Sequence, residues 1–152
     1  MGADIHIYSE RKNGQGAWEC VQDDIEYWRE YKVFGFLANV RNYSGIQPIS
    51  EPRGLPKDVS QFTKAFIDNS EDMHSLSYLT TAELLEYDYD QIIEDPRCEG
   101  INEFGFHDGS MTCEPGLGVK MPLKEFLGTQ FFDILGQLQA AKIERIVFCF
   151  DN

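Results

Sequence analysis

The sequence predicts an α+β protein in which a small, mostly antiparallel sheet, an N-terminal hairpin plus a C-terminal strand, packs against about four helices joined by long irregular loops. Three observations point there. Ile5 and Ile7 alternate with Asp4, His6 and Tyr8 in a run over residues 3–11, and Asn13-Gly14-Gln15-Gly16 separates it from a second run over 17–21; Asn-Gly between two such runs is a hairpin signal. Leu123, Phe126, Leu127, Phe131, Ile134, Leu135 and Leu138 recur at helical spacing and make one apolar stripe. Residues 143–150 are dense in β-branched and aromatic side chains, the composition of a central strand buried on both faces.

Between the hairpin and the final strand the elements follow in order. Tyr27, Tyr31, Phe34 and Leu37 or Ala38 fall at helical spacing and predict a short helix ending near Val40, with Gly35 costing about 1 kcal/mol relative to alanine. Residues 41–56 carry Pro48, Pro52 and Pro56 beside Gly45 and Gly54. Fixed proline φ angles make this a stiff, extended loop, the kind of segment on which binding groups sit. Asp58 reads as the N-cap of a helix with the face Val59, Phe62, Phe66 and Ile67, broken at residues 69–72. Residues 73–79 fit neither period uniquely.

Thr80 and Glu83 form a capping box. The helix it opens passes through Leu84 and Leu85, continues or restarts through Tyr89, Ile92 and Ile93, and stops at Pro96. Residues 98–121, with Gly100, Gly105, Gly109, Gly116 and Gly118 around Phe104-Gly105-Phe106-His107-Asp108, show no phosphate-loop pattern and read as an irregular excursion with room for a short hairpin. Pro122 is pre-shaped for a first helical position. Gly128 and Gly136 lie one turn either side of Phe132, off the apolar stripe, so a second element or a second subunit has room to approach; a homo-oligomer through the Phe132 face is the resulting expectation.

No repeat or domain boundary interrupts the 152 residues, and a single domain over 1–152 is expected, large enough to bury roughly two thirds of its unfolded surface. No apolar run approaches a membrane span, and the first residues lack the basic and apolar regions of a signal peptide, so a cytoplasmic protein without a membrane partner is expected. Cys20, Cys98, Cys113 and Cys149 form no short-spaced pair, which favours reduced thiols over a closed zinc site. Thirteen basic against 26 acidic residues give a formal charge of −13. That field disfavours a nucleic acid polymer and favours cationic or protein partners, or a small ligand held in a locally positive pocket.

Two sets of residues carry candidate chemistry. Asp4, His6 and His74, with Asp72, His107 and Asp108 as further members, have the oxygen and imidazole donors that a divalent metal takes, although no pair has a diagnostic metalloenzyme spacing. The competing reading is that His6 and His74 hydrogen-bond carboxylates or carbonyls and hold the fold. Arg41, Asn42 and Arg53 lie on or beside the proline-rich loop, and guanidinium groups pair with phosphate or carboxylate; His74, Ser75 and Ser77 add donors for the same anion. The competing reading there is that both arginines staple the loop to nearby acids. No nucleophile elbow is present.

Asp4-Ile5-His6, residues 36–42 (Phe-Leu-Ala-Asn-Val-Arg-Asn), Pro48-Ile49, Pro52-Arg53-Gly54-Leu55-Pro56, His74-Ser75 with Ser77, and the closing Val147-Phe148 to Phe150-Asp151-Asn152 together resemble a family of small proteins encoded in phage and prophage genomes. The resemblance spans nearly the whole chain and implies a shared fold, without an activity or cofactor. It implies an accessory protein of the infected host's cytoplasm, a setting that includes nucleotide-pool enzymes and counter-defence proteins that capture signalling nucleotides. Three functions follow as expectations: a protein binding a small anionic or nucleotide-like ligand through Asp4, His6, Arg41, Asn42, Arg53, His74, Ser75 and Ser77; a metal-dependent hydrolase using Asp4, His6 and His74; and an acidic inhibitor of a basic host protein.

Overall fold

The computed structural model describes residues 2–97, 100–101, 107–108 and 114–152. In chain order the elements are β1 (Asp4–Lys12), β2 (Trp18–Cys20), α1 (Tyr31–Ala38), α2 (Gln61–Asp68), β3 (His74–Thr80), α3 (Thr81–Glu86), β4 (Ile92–Asp95), β5 (Gly100–Ile101), β6 (His107–Asp108), β7 (Val119–Pro122), α4 (Leu123–Leu127), α5 (Thr129–Ala140) and β8 (Arg145–Asp151). The architecture is α+β, with a small antiparallel sheet packed on helices. No helix among the described residues is long and apolar enough to cross a membrane.

The main sheet runs β2-β1-β8-β3. Strand β8 is its centre because residues 145–150 are buried throughout and alternate between two apolar environments. Ile146, Phe148 and Phe150 enter the main core with Phe34, Phe36, Phe126, Phe131 and Leu138, while Val147 and Cys149 face a second cluster with Ile67, Tyr8, Met73 and Tyr78. Burial on the second face pushes the Cys149 thiol up to about 11. Strand β1 pairs with β8 from Asp4↔Asp151 through His6↔Cys149 to Glu10↔Arg145. On the other side β3 pairs from His74↔Phe150 to Thr80↔Arg145, with an irregularity between His74 and Ser77.

Several elements differ from their sequence expectation. Residues 21–30 are irregular, and α1 starts only at Tyr31. Gly35 within it is required by packing: a Cβ there would stand 3.0 Å from Asn42 Cα. Helix α2 is capped by Ser60, whose hydroxyl accepts from Thr63 N, because Asp58 is held by Arg145 and Trp18 instead. Its buried residues are Thr63 and Ile67, whereas Phe62 and Phe66 are each 50% exposed.

Residues 74–80 form a strand. The capping box is present, but α3 ends at Glu86 and Ile92–Asp95 is a strand paired with β7. Tyr87 and Tyr89 turn the chain there by packing their rings on Phe36, with Tyr89 also on Phe131. The helix predicted from Pro122 is two helices, with Pro122 as N-cap of α4 and Gly128 at φ 86° and ψ 167° between them. The apolar stripe survives the break. Phe132 packs half-buried against Tyr89 and Phe131, and space beside Gly136 is open. A short two-stranded pair, β5 with β6, falls inside the glycine-rich stretch; residues 98–99, 102–106 and 109–113 lie outside the described part, Cys98 and Cys113 among them.

One ion pair crosses the sheet beneath α2. Arg145 donates from Nε to Glu10 Oε1 at 2.8 Å, from Nη1 to Asp58 Oδ1 at 2.8 Å and from Nη2 to the Asp58 carbonyl at 3.2 Å. Its guanidinium carbon lies 3.7 Å from the Trp18 ring centroid. The second Glu10 oxygen accepts from Ser60 N at 3.1 Å and from the Thr63 hydroxyl at 2.8 Å, so the buried carboxylate is satisfied on both oxygens. Arg145 in turn holds the Asp58 carboxyl below its ordinary range. Removing one partner of a buried pair leaves the other charge uncompensated. Glu10→Ala is therefore expected to lower the unfolding free energy by about 3–5 kcal/mol in denaturant titration, and the double variant Glu10→Met/Arg145→Met to recover most of that loss.

Candidate functional site

The antiparallel ladder brings both ends of the chain to one end of the sheet. Asp4 faces Asp151 across β1 and β8, and His6 lies one step inward on the same face. The His6 Nε2–H donates to Asp151 Oδ2 at 2.8 Å, with both side chains 36% exposed. In the neutral ring this leaves Nδ1 as an acceptor, and no partner engages it among the described residues. An imidazole held by a carboxylate with its other nitrogen open is suited to accepting a proton or a ligand hydrogen bond. Asp4 itself stands 3.7 Å from Arg29 Nη2 at an exposed position.

His74 is at the same end but on the opposite face. Its partner across β8 is Phe150, one residue out of phase with the Cys149 that pairs His6. The His74 ring stacks on Phe150 with centroids 6.2 Å apart. Its nitrogens meet Ser75 Oγ at 3.0 Å and Asn152 Oδ1 at 3.2 Å; a neutral ring protonated on Nε2 satisfies both. The backbones of His6 and His74 are two strand spacings apart, about 10 Å, and their side chains leave the sheet in opposite directions. Asp4, His6 and His74 thus do not converge on one point, and no group of three His, Cys, Asp or Glu suited to a metal occurs among the described residues. Asp72 belongs to no such group either, and the side chains of His107 and Asp108 lie outside the described part.

Arg41 reaches this end from the helix side. Its Nη1 donates to Tyr43 Oη at 3.0 Å, and its guanidinium lies 6.0 Å from the Tyr31 ring. Tyr31 Oη accepts from Ala3 N at 3.0 Å, next to Asp4. Arg97 covers the Tyr43 ring at 5.5 Å, and Tyr43 is 52% exposed. Arg41 and Ser75 both hold positive φ, 50° and 54°, a conformation that side chains other than glycine and asparagine adopt at a cost.

The other candidates are committed to the fold. Arg53 forks onto Glu83 with contacts of 2.9 and 2.5 Å and also donates to Ser50 Oγ and the Tyr78 carbonyl. That places its guanidinium about four residues up β3 from His74, roughly 13 Å away. Ser77 is buried and accepts from Arg53 N. Asn42 bridges Asn39 and both backbone groups of Ile46. The residues missed at the sequence level are Asp151, Asn152, Tyr31, Tyr43 and Arg97; the in-register pairing of the two terminal strands is the signal that would have brought the first two forward.

No protein-family model matches the chain, and no curated protein or solved structure shows significant similarity to it.

The Arg53 fork and the Thr80 N–H hold the Glu83 carboxyl at about 2, below its ordinary 4.5. A depressed acid stabilises the folded state at pH values above its unfolded value, and that contribution fades as the pH falls from about 4.5 to 2. With the pair partly exposed, Arg53→Ala is expected to cost about 1 kcal/mol at neutral pH, and the difference from wild type to narrow through that window in acid-dependent unfolding.

Proposed function

We propose that the chain binds a small anionic, nucleotide-like ligand at the end of the central sheet. The observation that carries this reading is that Asp4, His6, His74 and Ser75, distant in sequence, lie at one end of the sheet beside Asp151 and Asn152, with His6 and His74 on opposite faces, and that Arg41 approaches the same end through Tyr31, whose hydroxyl accepts from Ala3 N. Guanidinium groups of Arg41 and Arg97 beside the rings of Tyr31 and Tyr43 offer the pairing that phosphate takes and a half-exposed aromatic face on which a base stacks. The two imidazoles stand on opposite faces of the sheet, and His74, whose Nε2 meets the terminal Asn152, is the one we assign to a hydroxyl or phosphate oxygen of the ligand. The positive φ of Arg41 and Ser75 supports the same assignment, since strained residues gather where geometry is held for a ligand. The likeness to phage-encoded proteins makes a host signalling nucleotide the first class to test, and capture without turnover the role that goes with it.

Thermal unfolding with ATP and with cyclic dinucleotides tests the reading. A ligand present at a hundred times its Kd adds about 2.7 kcal/mol, roughly 10 °C in Tm for a domain of this size. Arg41→Ala and His74→Ala are expected to remove the shift, while Arg53→Ala lowers the starting Tm and keeps it. Absence of a shift with every nucleotide, or a shift that survives both of the first two substitutions, counts against the assignment.

A further inference from the structure

We propose that the open edge of β1 is a strand-addition site for an extended, basic segment of a partner protein. The outer neighbour β2 pairs with β1 only over Glu10, Arg11 and Lys12, and the ladder on that side ends with Val21 N donating to the Ser9 carbonyl. The Glu10 carbonyl accepts from Glu144 N on the β8 side. Backbone groups alternate sides along a strand, so the N–H and C=O of Ile5 and Ile7 point away from β8, as Ser9 does. Among the described residues no hydrogen bond reaches those four groups; the equivalent N–H of Ala3 is taken by Tyr31 Oη. An edge of this kind is a template for another strand.

A groove flanks the edge on each face of the sheet. One, of about 660 Å³, is lined by Ile5, Ile7, Tyr27, Trp28 and Gln130 with Glu26 and Glu30 on its rim. The other, of about 570 Å³, is lined by Tyr8, Cys20, Gln22 and Phe62 with Asp23 and Asp24. An added strand sends successive side chains to opposite faces, so its main chain would pair with Ile5 and Ile7 while alternate side chains entered the two grooves. Trp28, which lines the first groove, keeps its indole N–H buried without an acceptor among the described residues.

Charge selects the occupant. Glu26, Glu30, Asp23 and Asp24 face the edge, against Arg29, which stands beside Asp4. A second copy of the chain would bring another formal charge of −13 and the same carboxylates across a two-fold axis, like against like. A strand alternating lysine or arginine with apolar residues matches both rim and floor.

The probes are a (Lys-Val)4 peptide, its (Glu-Val)4 counterpart, and (Lys-Val)4 N-methylated at every residue, since methylation of alternate residues would leave one edge of the strand free to pair. In the free protein the amides of Ile5 and Ile7 are expected to exchange at least tenfold faster than those of His6 and Tyr8. The lysine peptide should slow Ile5 and Ile7 selectively and bind at least tenfold more weakly in high salt. Neither the glutamate nor the N-methylated peptide should bind. Ile7→Pro removes only an outward N–H, so it should keep the β1–β8 ladder and lose the peptide; should that variant fail to fold, the N-methylated peptide makes the same distinction. The proposal is overturned if Ile5 and Ile7 are already protected in the free protein, or if (Lys-Val)4 does not bind. Equal binding of the control peptides, or self-association of the protein that Ile7→Pro abolishes, would overturn it as well.

Discussion

The pairing of the first strand with the last is the constraint on which the rest of this structure depends. Its register, Asp4↔Asp151 to Glu10↔Arg145, sets three consequences at once. At one end it puts His6 against Asp151 and leaves His74 to Asn152. At the other it seats Glu10 against Arg145 under the Trp18 ring, where the pair organises the start of α2 through Ser60 and Thr63. Along its outer side it leaves β1 half-covered, because β2 is only three residues long. A slip of one residue would exchange the two faces of β1, sending His6 into the phenylalanine core and Ile5 and Ile7 toward α2.

Strand β8 tolerates this central place because its two faces are apolar in different ways. The core face is built from large rings, Phe148 and Phe150 against Phe34, with Phe36 and Phe131 beyond. The other is narrower, Val147 and Cys149 under Tyr8 and Tyr78, and its polar end is the Arg145 pair. Stability and candidate site are thus held apart along one strand: the buried charge lies at its beginning and the partly exposed imidazole–carboxylate contact at its end.

Local chemistry made much of the fold legible in the sequence. The Asn-Gly turn, the Thr80–Glu83 capping box and the apolar density of residues 143–150 each act over a few residues, and each appears as read. What depended on distant packing was not legible. Tyr87 and Tyr89 anchor on Phe36 and turn the chain out of α3, so Ile92 and Ile93 become a strand rather than a helical continuation. The α4–α5 break needs only the conformation of Gly128, which an unbroken apolar stripe conceals. In the site, Glu83 serves both the cap and Arg53, so an arginine that looked available for an anion is instead a loop staple. Asp151 and Asn152 carry no pattern of their own and gain meaning only through register.

The central claim is that register, and the most direct measurement is the set of Hα–Hα NOEs across β1 and β8. Residues whose backbone groups point away from the neighbouring strand form the closely spaced, non-hydrogen-bonded pairs of an antiparallel ladder. Strong Hα–Hα contacts between Ile5 and Phe150 and between Ile7 and Phe148 are the predicted result. Contacts pairing His6 with Phe150 or with Phe148 instead would contradict the account, since they would place His6 in the core and remove the His6–Asp151 contact on which the candidate site is built.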